Sequence, residues 1–177
     1  MTIQELEQAI ALYGKEIYSF CLHLAKNKMA AEELYQDTFL TATEQTARLN
    51  TDGNPRSYFL SVSLRLWKNR KRKIAWRQRV APTKELAEDA LNNLSDPSCA
   101  GSDTLSDYLE KEQRLMVRKA VSRLDEKYRI PVLLYYMEEM SIAEVAAVMQ
   151  IPQGTVKSRL DTARKRLESE LEGYFNE

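Results

Sequence analysis

Apolar residues recur every three or four positions along most of this chain, and that period belongs to the α-helix. Ile3, Leu6, Ile10, Tyr13, Ile17, Phe20 and Leu24 alternate spacings of three and four, which predicts a first helix with one core-facing stripe, ending near Asn27. A second helix is expected over about 30–47. Asn54 and Pro55 read as the N-cap and first-turn residues of a third that runs to about Trp76. Four more helices are expected at about 108–123, 126–138, 141–149 and 153–172. Pro131 falls inside the second of these and should bend it or shorten its first turn. No segment alternates with a strand period long enough to build a sheet. The fold class is all-α.

The helical period lapses between 81 and 107. Pro82, Asn92-Asn93, Asp96-Pro97-Ser98 and Gly101-Ser102 punctuate this stretch, leaving room for one short helix around 85–94. It divides the chain into two small helical domains, 1–80 and 108–177, joined by a flexible linker. Charge follows the same division. Formal net charge is zero, but eight cations and no acid lie between 65 and 79: Arg65, Lys68, Arg70, Lys71, Arg72, Lys73, Arg77 and Arg79. The linker carries six acids, Glu85, Glu88, Asp89, Asp96, Asp103 and Asp107, against the single cation Lys84. A basic stretch followed by an acidic one implies different partners, or different surfaces of one partner.

Composition excludes several classes. Hydrophobic residues make up 44% and charged residues 29% of the chain, a globular balance, and five Gly with five Pro favour long helices over many turns. No apolar run approaches the roughly 20 residues of a membrane span, and the amino terminus lacks a signal-peptide pattern, so no membrane insertion is expected. Cys21 and Cys99 have no partner spacing and His23 is the only histidine, which argues against a disulfide framework or a metal site. Two ordinary thiols fit a cytoplasmic protein. With no phosphate-cradling Gly-rich loop, no Cys–His pairing and no ligand cluster, neither catalytic residues nor a cofactor are expected.

The most informative segment runs from Ser141 to Glu168. Ser141 with Glu144 is a capping box, and Ile142, Val145, Ala146 and Met149 give a short helix one apolar face. Pro152 suits the first turn of the next helix, in which Val156, Leu160, Ala163 and Leu167 share a stripe. Ser158, Asp161 and Lys165 point the other way, flanked by Lys157 and Arg164 on one side and by Thr155 and Thr162 on the other. A short supporting helix, a tight turn and a longer polar-faced helix form a helix-turn-helix, whose second helix enters the major groove of DNA. A solvated bundle helix has the same periodicity. The capped start and the cations Lys157, Arg159, Arg164, Lys165 and Arg166 against Asp161 favour DNA.

Together these parts resemble an extracytoplasmic-function (ECF) sigma factor, the smallest class of bacterial RNA polymerase sigma subunit. AEELYQDTFLTA (31–42) resembles the family's core-polymerase-binding helix, PRSYFLSVSLRLWKNRKRK (55–73) its −10 recognition and melting helix, and the segment 124–167, with GTVKSRL inside it, its −35 reading domain. The resemblance implies that Glu33, Gln36, Asp37 and Leu40, one helix face, dock on the β′ clamp helices of the polymerase core, which also offers its β subunit. On residue pattern alone that face also fits a solvated surface, while Ala31, Leu34, Thr38 and Ala42 line another. It further implies −10 DNA contacts from Arg65, Lys68, Asn69, Arg70, Lys71, Arg72 and Lys73, and −35 contacts from Thr155, Lys157, Ser158, Arg159, Asp161, Thr162 and Lys165. Phe59, Val62 and Leu66 share a core stripe, whereas Trp67 and Trp76 fit either core or base stacking. In the resemblance the acidic linker threads cationic channels of the polymerase, and an anti-sigma factor is an allowed partner.

Three positions depart from the family pattern. Arg65 stands where Asn is frequent in the melting helix. Gln150 and Glu139 stand where Gly is common, in the turn between the two DNA-reading helices and in the turn before Ser141. A left-handed backbone at Gln150 would cost on the order of 1–2 kcal/mol relative to Gly. The expected function is promoter selection for RNA polymerase with assistance in −10 melting. A stand-alone helix-turn-helix regulator is the alternative, and it leaves the second basic helix and the acidic linker unexplained.

Overall fold

The computed structural model describes residues 3–44, 54–80 and 105–175, and among these the chain is helical with no strand. The described residues form seven α-helices, in order α1 (Ile3–Ala25), α2 (Lys28–Glu44), α3 (Pro55–Val80), α4 (Leu105–Arg123), α5 (Glu126–Val132), α6 (Ile142–Met149) and α7 (Gln153–Phe175). The chain divides into two compact units, one built on α1–α3 and the other on α4, α5, the start of α6 and α7. The expected linker and its short helix lie outside the described residues up to 104. α4 opens at Leu105, so its first three residues extend into the span read as linker.

In the N-terminal unit all three helices pack on one another. α1 contributes Ile17, Phe20, Cys21 and Leu24 to the core, α2 contributes Ala31, Leu34, Phe39 and Ala42, and α3 contributes Phe59, Leu60, Val62 and Leu64. Rings form a continuous path across it: Tyr18 to Tyr35 at 5.7 Å, Tyr35 to Phe39 at 5.0 Å and Phe39 to Phe59 at 4.9 Å between centroids. Edge and tilted contacts of this kind add to the stabilisation from area burial. Gly14 lets α1 approach α2, since a Cβ there would stand 2.9 Å from the Tyr35 hydroxyl oxygen.

Among the described side chains of the α1 stripe, burial is complete only from Ile17 onward. Ile10 is 40% exposed and Tyr13 half-buried, which corrects the expectation of one core-facing stripe along the whole helix. Ala9, one residue before Ile10, is buried, so at this level the contact with the core falls beside the stripe and not on it.

Local chemistry sets the helix ends. Lys26 takes φ 56° and its N–H donates to the Leu22 carbonyl at 2.9 Å, a left-handed cap on α1. Asn27 Oδ1 accepts the Ala30 N–H at 3.1 Å and opens α2, while Asn54 Oδ1 accepts the Arg56 N–H at 3.1 Å and opens α3 at Pro55. α3 runs four residues beyond the expected Trp76, to Val80.

The helix expected over 126–138 is interrupted. α5 ends after seven residues and the chain continues as a π-helical turn, Leu133–Met137, in which the Glu138 N–H reaches the Leu133 carbonyl at 3.1 Å. Pro131 has no N–H to continue the ladder, and the ring crowds the carbonyl four residues back. The chain nevertheless passes Pro131, the Leu133 N–H still reaches the Arg129 carbonyl, and only then does the turn widen, instead of merely bending. The C-terminal core gathers Ala120, Leu124, Ile130, Leu133, Leu134, Met140, Val145, Val156, Leu160 and Ala163.

Candidate nucleic-acid and protein interfaces

The turn between α6 and α7 is built by caps at both ends of α6. The Ser141 N–H donates to Glu144 Oε2 at 2.8 Å and the Glu144 N–H donates to Ser141 Oγ at 3.3 Å, a reciprocal capping box. At the other end Gln150 has φ 58°, its N–H reaches the Ala147 carbonyl at 3.3 Å, and the Ile151 N–H reaches the Ala146 carbonyl at 3.1 Å. Those two bonds make a Schellman closure with a left-handed residue at its corner. Glu139 likewise has φ 49°. Both positions are thus held in the conformation that glycine adopts most cheaply. Pro152 supplies the first carbonyl of α7, accepting from the Val156 N–H at 3.1 Å, so it stands at the N-cap, one residue before the expected first turn.

α7 then separates its faces. Val156, Leu160 and Ala163 are buried and Leu167 half-buried, whereas Lys157, Ser158, Asp161, Arg164 and Lys165 are exposed and Thr155, Arg159 and Thr162 half-buried. The hydroxyls of Ser158 and Thr162 donate to the carbonyls of Thr155 and Ser158, at 3.0 and 2.9 Å, which leaves their oxygen lone pairs facing outward as acceptors. Lys165 and Asp161 form an exposed pair at 3.1 Å.

The distal cations are bound within the unit. Arg164 Nε donates to the Tyr136 hydroxyl at 2.6 Å, and this hydrogen bond raises the Arg164 pKa above its ordinary value. Arg166 pairs with Asp125 at 2.9 Å and stacks over the Tyr128 ring at 4.5 Å. Arg123 pairs with Glu170 at 2.9 Å. Among the described residues Lys157 and Arg159 have no such acid or ring partner. The unbound cations of α7 are therefore the ones nearest its N-terminus, where the helix field also favours phosphate. Tyr128 and Tyr136 escaped the sequence reading, although the aromatic pair Tyr135-Tyr136 at the end of an expected helix was the available signal.

The N-terminal unit carries the other two surfaces. On α2, Glu33, Gln36, Asp37 and Leu40 are exposed on one face, and Ala31, Leu34, Thr38 and Ala42 are buried on another, the division expected from their spacing. On α3, Arg65, Lys71, Arg72 and Lys73 are exposed, while Lys68, Asn69 and Arg70 are half-buried. Arg72 reaches the Asn69 side-chain oxygen. Arg70 instead faces α2, pairing with Glu33 at 3.1 Å and Asp37 at 2.9 Å and donating to the Ala30 carbonyl at 3.3 Å. The structure thus brings together one residue expected to meet DNA and two expected to meet the polymerase. Trp76 is exposed near the end of α3, and Trp67 is half-buried.

Buried polar groups in each unit are structural. Thr38 and Ser63 Oγ atoms lie 3.1 Å apart, and each hydroxyl donates to a carbonyl of its own helix, at 2.7 and 2.9 Å. Beside them burial pushes the Cys21 thiol up to about 12, partly opposed by hydrogen bonds to Ser63 and Thr38, so it stays protonated and unreactive near neutrality. Arg129 is buried, which lowers its pKa against the pull of Glu126. Among the described residues no cluster of three or more His, Cys, Asp or Glu side chains could hold a metal ion, and no helix is long and apolar enough to cross a membrane.

Comparison with known proteins meets this geometry unit by unit. Residues 9–77 match the family described as Sigma-70 region 2, and residues 114–167 match that described as Sigma-70, region 4. The chain is similar to the ECF RNA polymerase sigma factor SigW of Bacillus subtilis (strain 168), with 24% identity over 164 residues covering 92% of this chain and 86% of that one. It is also similar to the ECF RNA polymerase sigma factor SigM of the same strain, with 27% identity over 172 residues covering 96% and 94%. Its fold matches the sigma factor RpoE solved in complex with the anti-sigma factor NepR from Bartonella quintana, with a TM-score of 0.76 at 22% identity over 96% of this chain and 98% of that one.

Proposed function

The chain belongs to the sigma-70 family, in its extracytoplasmic-function group of promoter-specificity factors for RNA polymerase, and from that premise we propose how its surfaces divide the work. The N-terminal half of α7 reads the −35 element in the major groove. Thr155, Ser158, Asp161 and Thr162 supply hydrogen-bonding groups for base edges, and Lys157, Arg159 and Lys165 supply charge for phosphates or guanine. On α3, Arg65, Lys68, Asn69, Lys71, Arg72 and Lys73 hold the separated −10 strand by its phosphates. Glu33, Gln36, Asp37 and Leu40 on α2 dock on a basic surface of the core enzyme, the β′ clamp helices in the family resemblance, with the β subunit as a second contact.

The domains follow the same division: 1–80 for core binding and −10 melting, 81–107 as a linker, and 108–177 for −35 recognition. The protein works in the cytoplasm and performs no covalent chemistry. Strand opening is driven by differential binding of unpaired bases together with the core enzyme. An anti-sigma factor, the partner present in the RpoE–NepR complex, is the inhibitor this fold would accept.

The observation that carries the reading is the doubly capped α6 and its left-handed Gln150 corner, which present an acceptor-rich, cation-flanked α7 start. Core-dependent run-off transcription tests it. Purified chain added to core polymerase should give discrete transcripts from a promoter selected from a library, and neither component alone should do so. Specific binding of duplex promoter without core, with no transcript on adding core, would identify a stand-alone regulator instead.

A further inference from the structure

We propose that Arg70 is a positioning residue for the polymerase-docking face of α2, and not one of the DNA-holding cations of α3. The inference rests on the docking reading given above. At about 100° per residue, Arg70 lies within roughly 20° of Phe59 and Ser63 around α3 and about 40° from Leu66. That is the inward stripe: Phe59 and Ser63 are buried, and Ser63 Oγ stands 3.1 Å from Thr38 of α2. Arg65, Lys68 and Arg72 fall roughly 140–160° away, on the opposite side of the helix. Arg70 therefore continues the core stripe by two turns beyond Ser63, with its guanidinium emerging where α2 carries Glu33 and Asp37.

The guanidinium uses the fork that lysine lacks. Nη1 takes Glu33 Oε2 at 3.1 Å and the Ala30 carbonyl at 3.3 Å, while Nη2 takes Asp37 Oδ2 at 2.9 Å. One planar cation thus fixes two carboxylates one helical turn apart together with the backbone at the start of α2. The Arg70 side chain is 26% exposed, whereas those of Glu33 and Asp37 remain 60% and 50% exposed. Carboxylates hidden from a partner would be covered. These are oriented with their outer surface open, as a docking face requires.

The test compares core affinity, by fluorescence titration, with binding of a −10 single strand by preassembled holoenzyme at saturating core. Arg70→Ala should weaken core binding roughly fivefold, the scale of an exposed charge network, and Arg70→Lys should recover only part of it. Strand binding by holoenzyme and its salt dependence should not change, and the melting temperature of each variant identifies loss through unfolding. Lys68→Ala with Arg72→Ala should do the reverse, weakening strand binding with core affinity intact. In a double-mutant cycle Arg70→Ala and Asp37→Ala should be non-additive. Weaker strand binding with unchanged core affinity in Arg70→Ala would make Arg70 a DNA ligand, and tighter core binding would make it a shield over the carboxylates; either overturns the proposal. If Asp37→Ala weakens core binding and Arg70→Ala does not, the positioning role fails and the docking reading stands. If neither variant changes core affinity, the docking reading fails with it.

Discussion

α3 and α7 are both long helices rich in cations, 26 and 23 residues, yet they present charge in opposite ways. α3 buries its first turns through Phe59–Leu64 and carries its cations mainly beyond them, with no acid anywhere along it. α7 buries Val156, Leu160 and Ala163 on the same turns that expose Lys157, Ser158 and Asp161, and its later cations are tied to Tyr136, Tyr128 and Asp125. In the function proposed above, the first arrangement serves as a field and the second as a reader. A strip of cations attracts any phosphate chain, and its effect scales with charge and salt. A face where donors and acceptors alternate over a rigid stripe distinguishes one base edge from another. What separates the two is where the core ends along each helix.

The largest effects should come from removing the stripes that hold these faces. Phe59→Ala is expected to cost about 3–5 kcal/mol and Leu160→Ala about 2–5 kcal/mol in urea unfolding, since both side chains are buried. If the two units melt separately, each variant should lower only its own transition. Next, Ser158→Ala and Thr162→Ala should change preference at single −35 positions by roughly 1–3 kcal/mol in a promoter library, while Lys157→Ala weakens all −35 sequences alike. An unchanged −35 profile in all three would remove α7 as the reader.

Smaller still, Gln150→Gly should raise stability by about 1 kcal/mol, because it relieves a φ of 58° at an exposed position. A drop in melting temperature would show that the Gln150 side chain does more than turn the corner. Lys68→Ala with Arg72→Ala should leave stability within about 0.5 kcal/mol. Strand binding should weaken alike for every −10 sequence, with the salt slope falling by roughly 0.7 for each phosphate left without its cation. Sequence-selective weakening from these two would turn the α3 field into a second reader.

The parts visible in the sequence were those decided by near neighbours. Helix periods, the Asn54 cap, the Ser141–Glu144 box and the turns at Glu139 and Gln150 depend on residues within four or five positions. Pro131 announced an interruption but not its form, because widening to a π turn depends on which carbonyl the next free N–H can reach. Ile10 belongs to an unbroken apolar stripe, and its exposure depends on what the fold brings beside it. The surfaces were legible in outline for the same reason. Arg164 and Arg166 counted only toward the cationic excess, and their partners Tyr136, Asp125 and Tyr128 come near through the fold. Arg70 was hidden by its own neighbourhood: an acid-free run reads as uniform, although its spacing from Ser63 already pointed it inward.

The π turn at Leu133–Met137 also bears on how such a chain can change length over generations. A π turn is an α turn that accommodates one surplus residue. Deleting a single residue there would let the ladder close as an ordinary helix, with the repair confined to one loop of backbone. The same deletion within α7 would rotate every later side chain by about 100° and carry Leu160 and Ala163 out of the core. Length variation among relatives is therefore expected to collect at this turn and to be purged from α7, so that the proposed reading face keeps its phase while the turn before it drifts.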